Sequence, residues 1–351
     1  MMSTAILDQA TTQESALAKT LRSFLGQKPI IQLKSSEKKA IGAQVDASLS
    51  PAVVAGVYST AIESTEDLID TVFTHAASPR DEKRFSTYAA VTGGKTEIGQ
   101  LAVGMHANKV KRDSYGIVVG ADAEVAPHLR AGAAFSVSDG TTDSESFAIS
   151  DDFRHYGFLA YLRYALGPAT LSGFAGFSRL SSEVSDSVLN VNSTMDTDIY
   201  SAGVQGSVGL LFGDTVVYPF IGAEIHRMKT AGYEIIEGVD AVPVKTLTSV
   251  RVPVGMSWRK DYQTNWGLRL TPNATVAYVK AYGDKSVLST TTALGASSTL
   301  SSDFIADHYL RAALGLEASM QDFYFGMKAH YLNGTQDREA YGIEGKAGYK
   351  F

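Results

Sequence analysis

Alternation of apolar and polar positions is the dominant pattern along the 351 residues. Val250, Val252, Val254, Met256 and Trp258 take turns with Arg251, Pro253, Gly255, Ser257 and Arg259. Leu310, Ala312, Leu314, Leu316, Ala318 and Met320 do the same with Arg311, Ala313, Gly315, Glu317 and Ser319, and Tyr200, Ala202, Val204, Val208, Leu210 and Phe212 with Ser201, Gly203, Gln205 and Ser207. Successive strand side chains point to opposite faces, so each segment carries one apolar and one polar face. Period two predicts twelve strands, near 85–92, 114–126, 128–138, 153–166, 169–181, 197–212, 215–228, 246–259, 264–282, 304–320, 323–332 and 340–351. The last places Tyr341, Ile343, Ala347, Tyr349 and Phe351 opposite Gly342, Glu344, Lys346, Gly348 and Lys350. An even strand count with a terminal aromatic strand predicts a closed barrel.

A soluble sandwich shares that period, with its apolar face turned inward. The connections separate the two. Every second junction is tight, at Ala126-Pro-His128, Gly167-Pro168, Gly213-Asp214, Lys260 to Gln263 and Gln321-Asp322. Between them the sequence predicts long polar connections at 139–152, 182–196, 229–245 and 284–303. That asymmetry is the short-turn, long-loop plan of outer-membrane barrels, and it predicts the long connections on the external side. Aromatics end the apolar rows, with Tyr156 and Tyr164, Trp266 and Tyr278, Tyr200 and Phe212, and Phe323 and Tyr331 set where interfacial girdles need them. The fold class predicted is therefore a 12-stranded antiparallel up-and-down transmembrane β-barrel.

Composition fits. The chain is 44% hydrophobic with 32 Gly and 17 Tyr, its mean hydropathy is -0.03, and it has no apolar run of about 18 residues of the kind a membrane helix requires. It has no Cys, which excludes disulfides and thiolate metal sites. A net charge of -6 without a basic stripe argues against nucleic acid as a partner. Residues 1–23 lack the apolar core of a signal peptide, being interrupted by Asp8, Gln9, Gln13, Glu14 and Lys19, so the chain is expected to be a piece of a longer precursor.

The first quarter differs in kind. Ser50-Pro51 is a helix start, with a capping hydroxyl and then Pro at the first helical position, and Ser78-Pro79 is a stop. Residues 50–78 thus form one predicted unit, preceded by a linker or passenger remnant at 1–49 and followed by the barrel at 85–351. Val54, Val57, Tyr58, Ala61, Ile62, Leu68, Ile69, Val72 and Phe73 make a broad apolar stripe, and Glu63, Glu66, Asp67 and Asp70 are acidic. Such a helix, about 40 Å long, could cross a bilayer core of about 30 Å inside a lumen. Arg130, Arg163, Arg251, Arg269 and Arg311 fall on predicted inward positions and would complement its acids.

A helix, twelve antiparallel strands and a C-terminal aromatic, together covering about residues 50–351, resemble the translocator domain of autotransporters, the type V secretion proteins of Gram-negative bacteria. Tyr115-Gly-Ile-Val-Val-Gly-Ala-Asp122 with His128-Leu-Arg-Ala-Gly-Ala-Ala-Phe-Ser136 resembles the family's second hairpin, and Tyr218-Pro219-Phe220 its seventh strand. The resemblance implies a monomeric outer-membrane barrel that carries an N-terminal passenger to the cell surface, with the helix left threading the pore. It also implies recognition of Tyr349 and Phe351 by the barrel assembly machinery, with periplasmic chaperones as further partners. The chain departs from the family where Lys346 stands in place of the usual Gly, and where the helix lacks the Asn pair at which some members cut themselves, its first Asn being Asn108.

Other chemistry is weakly signalled. Asp307-His308 reads as a strand mouth, while His106, His226 and His330 lack metal-site spacing. Gly-x-Ser-x-Gly is absent, so neither catalytic, cofactor nor metal residues are expected. The alternative function is a stand-alone porin-like barrel or, further off, a barrel hydrolase.

Overall fold

The structure, a computed structural model, describes residues 51–77, 85–103, 106–145, 149–186, 191–230, 246–293 and 296–351. A single helix, α1 (Pro51–Ala77), precedes the strands β1 (Phe85–Val103), β2 (His106–Ala126), β3 (Leu129–Ser144), β4 (Ile149–Leu166), β5 (Ala169–Asp186), β6 (Val191–Val208) and β7 (Leu210–Phe212). There follow β8 (Thr215–Thr230), β9 (Thr246–Arg259), β10 (Tyr262–Gln263), β11 (Leu268–Gly283), β12 (Ser286–Ala293), β13 (Ala296–Asp303), β14 (His308–Met320), β15 (Phe323–Gly334) and β16 (Arg338–Lys350).

Every neighbour pairing is antiparallel, and β16 returns to β1 in a ladder from Ser86↔Lys350 to Ile98↔Arg338. With β7 continuing β6 past Gly209 and β10 a stub beside β11, the wall among the described residues is a closed ring of twelve strands. Closure satisfies every ladder group, which is what a lipid environment demands. Among the described residues no helix is long and apolar enough to cross a membrane.

The polarity of the wall is inside out. Met327 is 76% exposed and Ile343 69%, whereas Arg251 is 2% and Lys346 6% exposed. An apolar outer face and a polar inner one exclude the sandwich and match a membrane barrel. Tyr115, Tyr156, Tyr200, Tyr278, Tyr331 and Tyr341 lie outward toward the loop end, and Phe85, Tyr164, Phe212, Trp266, Phe323 and Phe351 toward the turn end. Tyr156 and Tyr164 stand about 27 Å apart along β4 at ~3.4 Å per residue, the spacing of two girdles.

The turn end is as tight as predicted. His128 (φ 66°), Gly167 (φ 58°), Gly213 (φ 61°) and Gln321 (φ 55°) supply the left-handed positions of these turns. The loop end differs from expectation. The first strand does not stop at 92 but runs to Val103 and returns as β2, and the polar stretches 139–152 and 182–196 are largely strand, in β3–β4 and β5–β6. Beyond the lipid the outward face meets water and turns polar, while inward positions such as Val184 and Met195 are buried, so the apolar-out alternation vanishes while the hydrogen-bond ladder continues. Expected connection 284–303 folds as the β12–β13 hairpin, paired from Ser286↔Asp303 to Ala293↔Ala296. Most of 229–245 lies outside the described residues.

Phe304 and Ile305, expected on a strand, instead turn into the lumen mouth and are 1% and 2% exposed. Lys280 and Lys285 both donate to Asp307 at the base of this connection and hold its carboxyl well below the usual carboxylate range. The β12–β13 hairpin packs against α1, and β13 also approaches β1.

Candidate functional site: the occupied lumen

Pro51 sits at the first helical position, where its missing N–H costs nothing, and α1 then runs 27 residues. Its burial extends well beyond the broad apolar stripe read from the sequence, with the face of Glu66, Asp67, Asp70, Phe73 and Thr74 half-buried. Ala55, Val57, Ser59, Thr60, Ala61, Thr71 and Val72 are each at most 3% exposed. Burial over so much of its circumference marks a helix enclosed by its neighbours.

Three layers meet it. At the loop end the wall is apolar, and Tyr58, Ala61 and Ile62 pack with Leu180, Met195, Ile199, Met228 and Leu247. The Tyr58 and Phe304 rings are 5.4 Å apart. At the turn end Leu68, Ile69 and Val72 pack with Tyr88, Leu159, Tyr161, Phe174 and Tyr324.

Between these layers lies a row of charge. Glu63, Glu66, Asp67 and Asp70 recur at i, i+3, i+4 and i+7 and so share one face of α1. Glu63 pairs with Arg112 of β2 at 3.0 Å and with Arg338 of β16, and Thr96 donates to it at 3.0 Å. Asp67 is 3.8 Å from Arg112. Glu66 pairs with Arg251 of β9 and accepts from the Tyr309 hydroxyl at 3.2 Å. Asp70 pairs with Arg311 of β14 and with Lys328 of β15 at 2.7 Å, and Lys328 reaches Glu344 of β16, also at 2.7 Å. On the opposite face Thr65 meets Ser178 at 2.8 Å and His155 at 3.4 Å without charge.

The last turn of α1 is fastened separately. His75 lies 3.1 Å from Asp122 through Nε2 and 3.1 Å from the Tyr324 hydroxyl through Nδ1, and it stacks on Tyr88 at 3.7 Å. Asp122 also accepts from Ser86 at 2.9 Å, Tyr161 at 2.8 Å and Arg130 at 2.7 Å.

Of the five inward arginines expected to face the helix acids, Arg251 and Arg311 do so. Arg130 is committed to Asp122 of the wall instead. Arg163 borders a cavity of about 250 Å³ beside α1, with Ile69, Phe73, Tyr218, Trp258 and Asn273. Arg269 faces Ser319, eight positions along β14 from Arg311, near the turn end. Parity reveals which face a side chain takes but not its height in the barrel. The main partners that sequence reading missed are Arg112, Lys328, Arg338 and His75. Arg112 lay in a stretch not read as strand, whereas the inward parity of Lys328, between the outward Met327 and Ala329, was legible.

The autotransporter β-domain family matches residues 87–330. This chain belongs to that family. It is an outer-membrane translocator barrel of a Gram-negative bacterium, serving export of a passenger segment. No curated protein sequence matches it. Solved autotransporter structures share its fold at low identity. The translocator domain of NalP from Neisseria meningitidis is 13% identical with a TM-score of 0.66, covering 86% of this chain and 99% of its own. The transport unit of AIDA-I from Escherichia coli is 14% identical with a TM-score of 0.63, covering 84% and 98%. The β domain of the Bordetella autotransporter BrkA is 12% identical with a TM-score of 0.59, covering 76% and 100%.

Proposed function

We propose that α1 is the retained end of the exported passenger, left in the autotransporter pore as its plug and anchor. The observation that carries this reading is direction. α1 has its N-terminal half in the loop-end apolar layer and His75 at the turn end, so a passenger joined before Pro51 leaves toward the loop end, which is the cell surface on this reading. The Glu63, Glu66 and Asp70 pairs hold the plug at mid-height, and the His75–Asp122 contact holds its last turn. The role is mechanical rather than catalytic.

The barrel acts as a monomer, and the assembly machinery and periplasmic chaperones receive it through its last strand. Tyr349 and Phe351 support this, since their rings lie 4.7 Å apart and the Phe351 N–H donates to Phe85 O at 2.9 Å, at the closing seam. A porin-like barrel needs an open lumen, and here α1 stands in it.

In planar bilayers a chain lacking residues 51–77 is expected to conduct in larger steps than the full chain and to melt at lower temperature. Equal conductance and stability would sink the plug reading.

A further inference from the structure

Halfway along the lumen, Glu66 of α1 meets Glu224 and His226 of β8. One potential ligand atom from each residue lies within 4.8 Å of the other two. His226 is fully buried, and its Nδ1 is hydrogen-bonded to Ser201 Oγ at 2.9 Å, which fixes the ring. Its Nε2 has no hydrogen-bond partner and lies 3.7 Å from Glu224 Oε2. A buried imidazole nitrogen without a partner is costly. Held by one nitrogen and offering the other to carboxylates, His226 has the arrangement of a metal-ligating histidine.

The carboxylates are suitably placed. Arg251 and the Tyr309 hydroxyl both engage Oε1 of Glu66, which leaves Oε2 to a cation. Arg251 also lies over the Tyr309 ring at 5.9 Å, so it keeps a neighbour when Glu66 turns to a metal. Glu66 and Glu224 border the 250 Å³ cavity, which leaves room beside the two carboxylates for an ion and its water.

We propose that Glu66, Glu224 and His226 form a site for a divalent cation of the zinc type, which ties α1 to the barrel wall. One imidazole nitrogen with two carboxylates suits zinc, cobalt or nickel, whereas calcium takes six to eight oxygens. Glu224 and His226 share a strand face by their spacing of two, and the third ligand comes from the helix, so no local spacing announced the site.

The test uses the full chain, folded in detergent and stripped with a chelator. Zinc titrated by calorimetry should bind at one ion per chain, and cobalt should give a ligand-field spectrum. His226→Ala and Glu224→Gln should each weaken zinc binding at least 10-fold. Ser201→Ala, which only orients His226, should weaken it 10- to 100-fold. Zinc should raise the melting temperature of the parent chain and leave that of His226→Ala unchanged. Heat-modifiable migration verifies folding of each variant, with His226→Gln and Glu66→Gln as substitutes for any that fail. No zinc binding to the parent chain, undiminished binding by the ligand variants, or tighter binding of calcium would overturn the site. Because zinc affinity is read apart from conductance and export, its failure would leave the translocator reading intact.

Discussion

Arg251 of β9 and Glu66 of α1 form an ion pair across the lumen, with the arginine side chain 2% exposed and the glutamate 17%. A wall residue and a helix residue far apart in the chain are thereby held in one register. Buried pairs add little net stability over apolar packing, but losing one partner strands a charge and costs about 3–5 kcal/mol.

Arg251→Gln should therefore lower the melting temperature of the folded barrel markedly. Adding Glu66→Gln should recover part of the loss, because the stranded carboxylate is then gone. Arg269→Gln is the control, since Arg269 lies eight positions along the wall from the Arg311 level. Thermal melts in detergent decide it: equal losses for the two arginine variants would show that the charge row does not hold the helix.

The end of α1 should loosen when Asp122 is replaced. Asp122 accepts from Ser86, Tyr161 and Arg130 and contacts His75, with distances of 2.7 to 3.1 Å. Asp122→Ala leaves these partners facing a void and costs on the order of 3 kcal/mol. Amide hydrogen exchange should rise over residues 70–77 while the N-terminal half of α1 keeps its protection. Uniform exchange along the helix would refute separate fastening.

Gly348 carries no side chain because Tyr324 lies across it. A Cβ there would come within 2.1 Å of the Tyr324 ring and 2.5 Å of Thr87 O. Gly348→Ala should destabilise by about 1–3 kcal/mol through overpacking. If the ring is the main obstacle, combining it with Tyr324→Leu should cost less than the sum of the two changes, measured by urea unfolding in detergent.

Removal of Phe351 should impair assembly in cells. Its N–H closes the seam on Phe85 O at 2.9 Å, and its ring lies 5.4 Å from that of Phe85. The readout is the heat-modifiable fraction in outer membranes. Parent-like migration and abundance would count against a role at the seam.

Residues 250–258 illustrate what the sequence alone determined. Alternation along that stretch, the tight turns at Gly167 and Gly213 and the aromatic row ends specified strands, faces and the up-and-down order, because a strand's face follows from parity and a turn from local backbone chemistry. The twelve-stranded barrel was legible on those grounds, and its family through the resemblance of the helix, the strand order and the terminal aromatic. So was the acid face of α1. Strand ends beyond the lipid were not, since β3 and β5 there carry polar residues on both faces. Nor could the sequence pair Glu63 with Arg112 and Arg338, or send Arg130 to Asp122. Those choices depend on the register of each strand against its neighbours and on the depth of α1 in the lumen. Both are set by closure of the whole ring and by packing between chain-distant residues, so only the tertiary structure decided them.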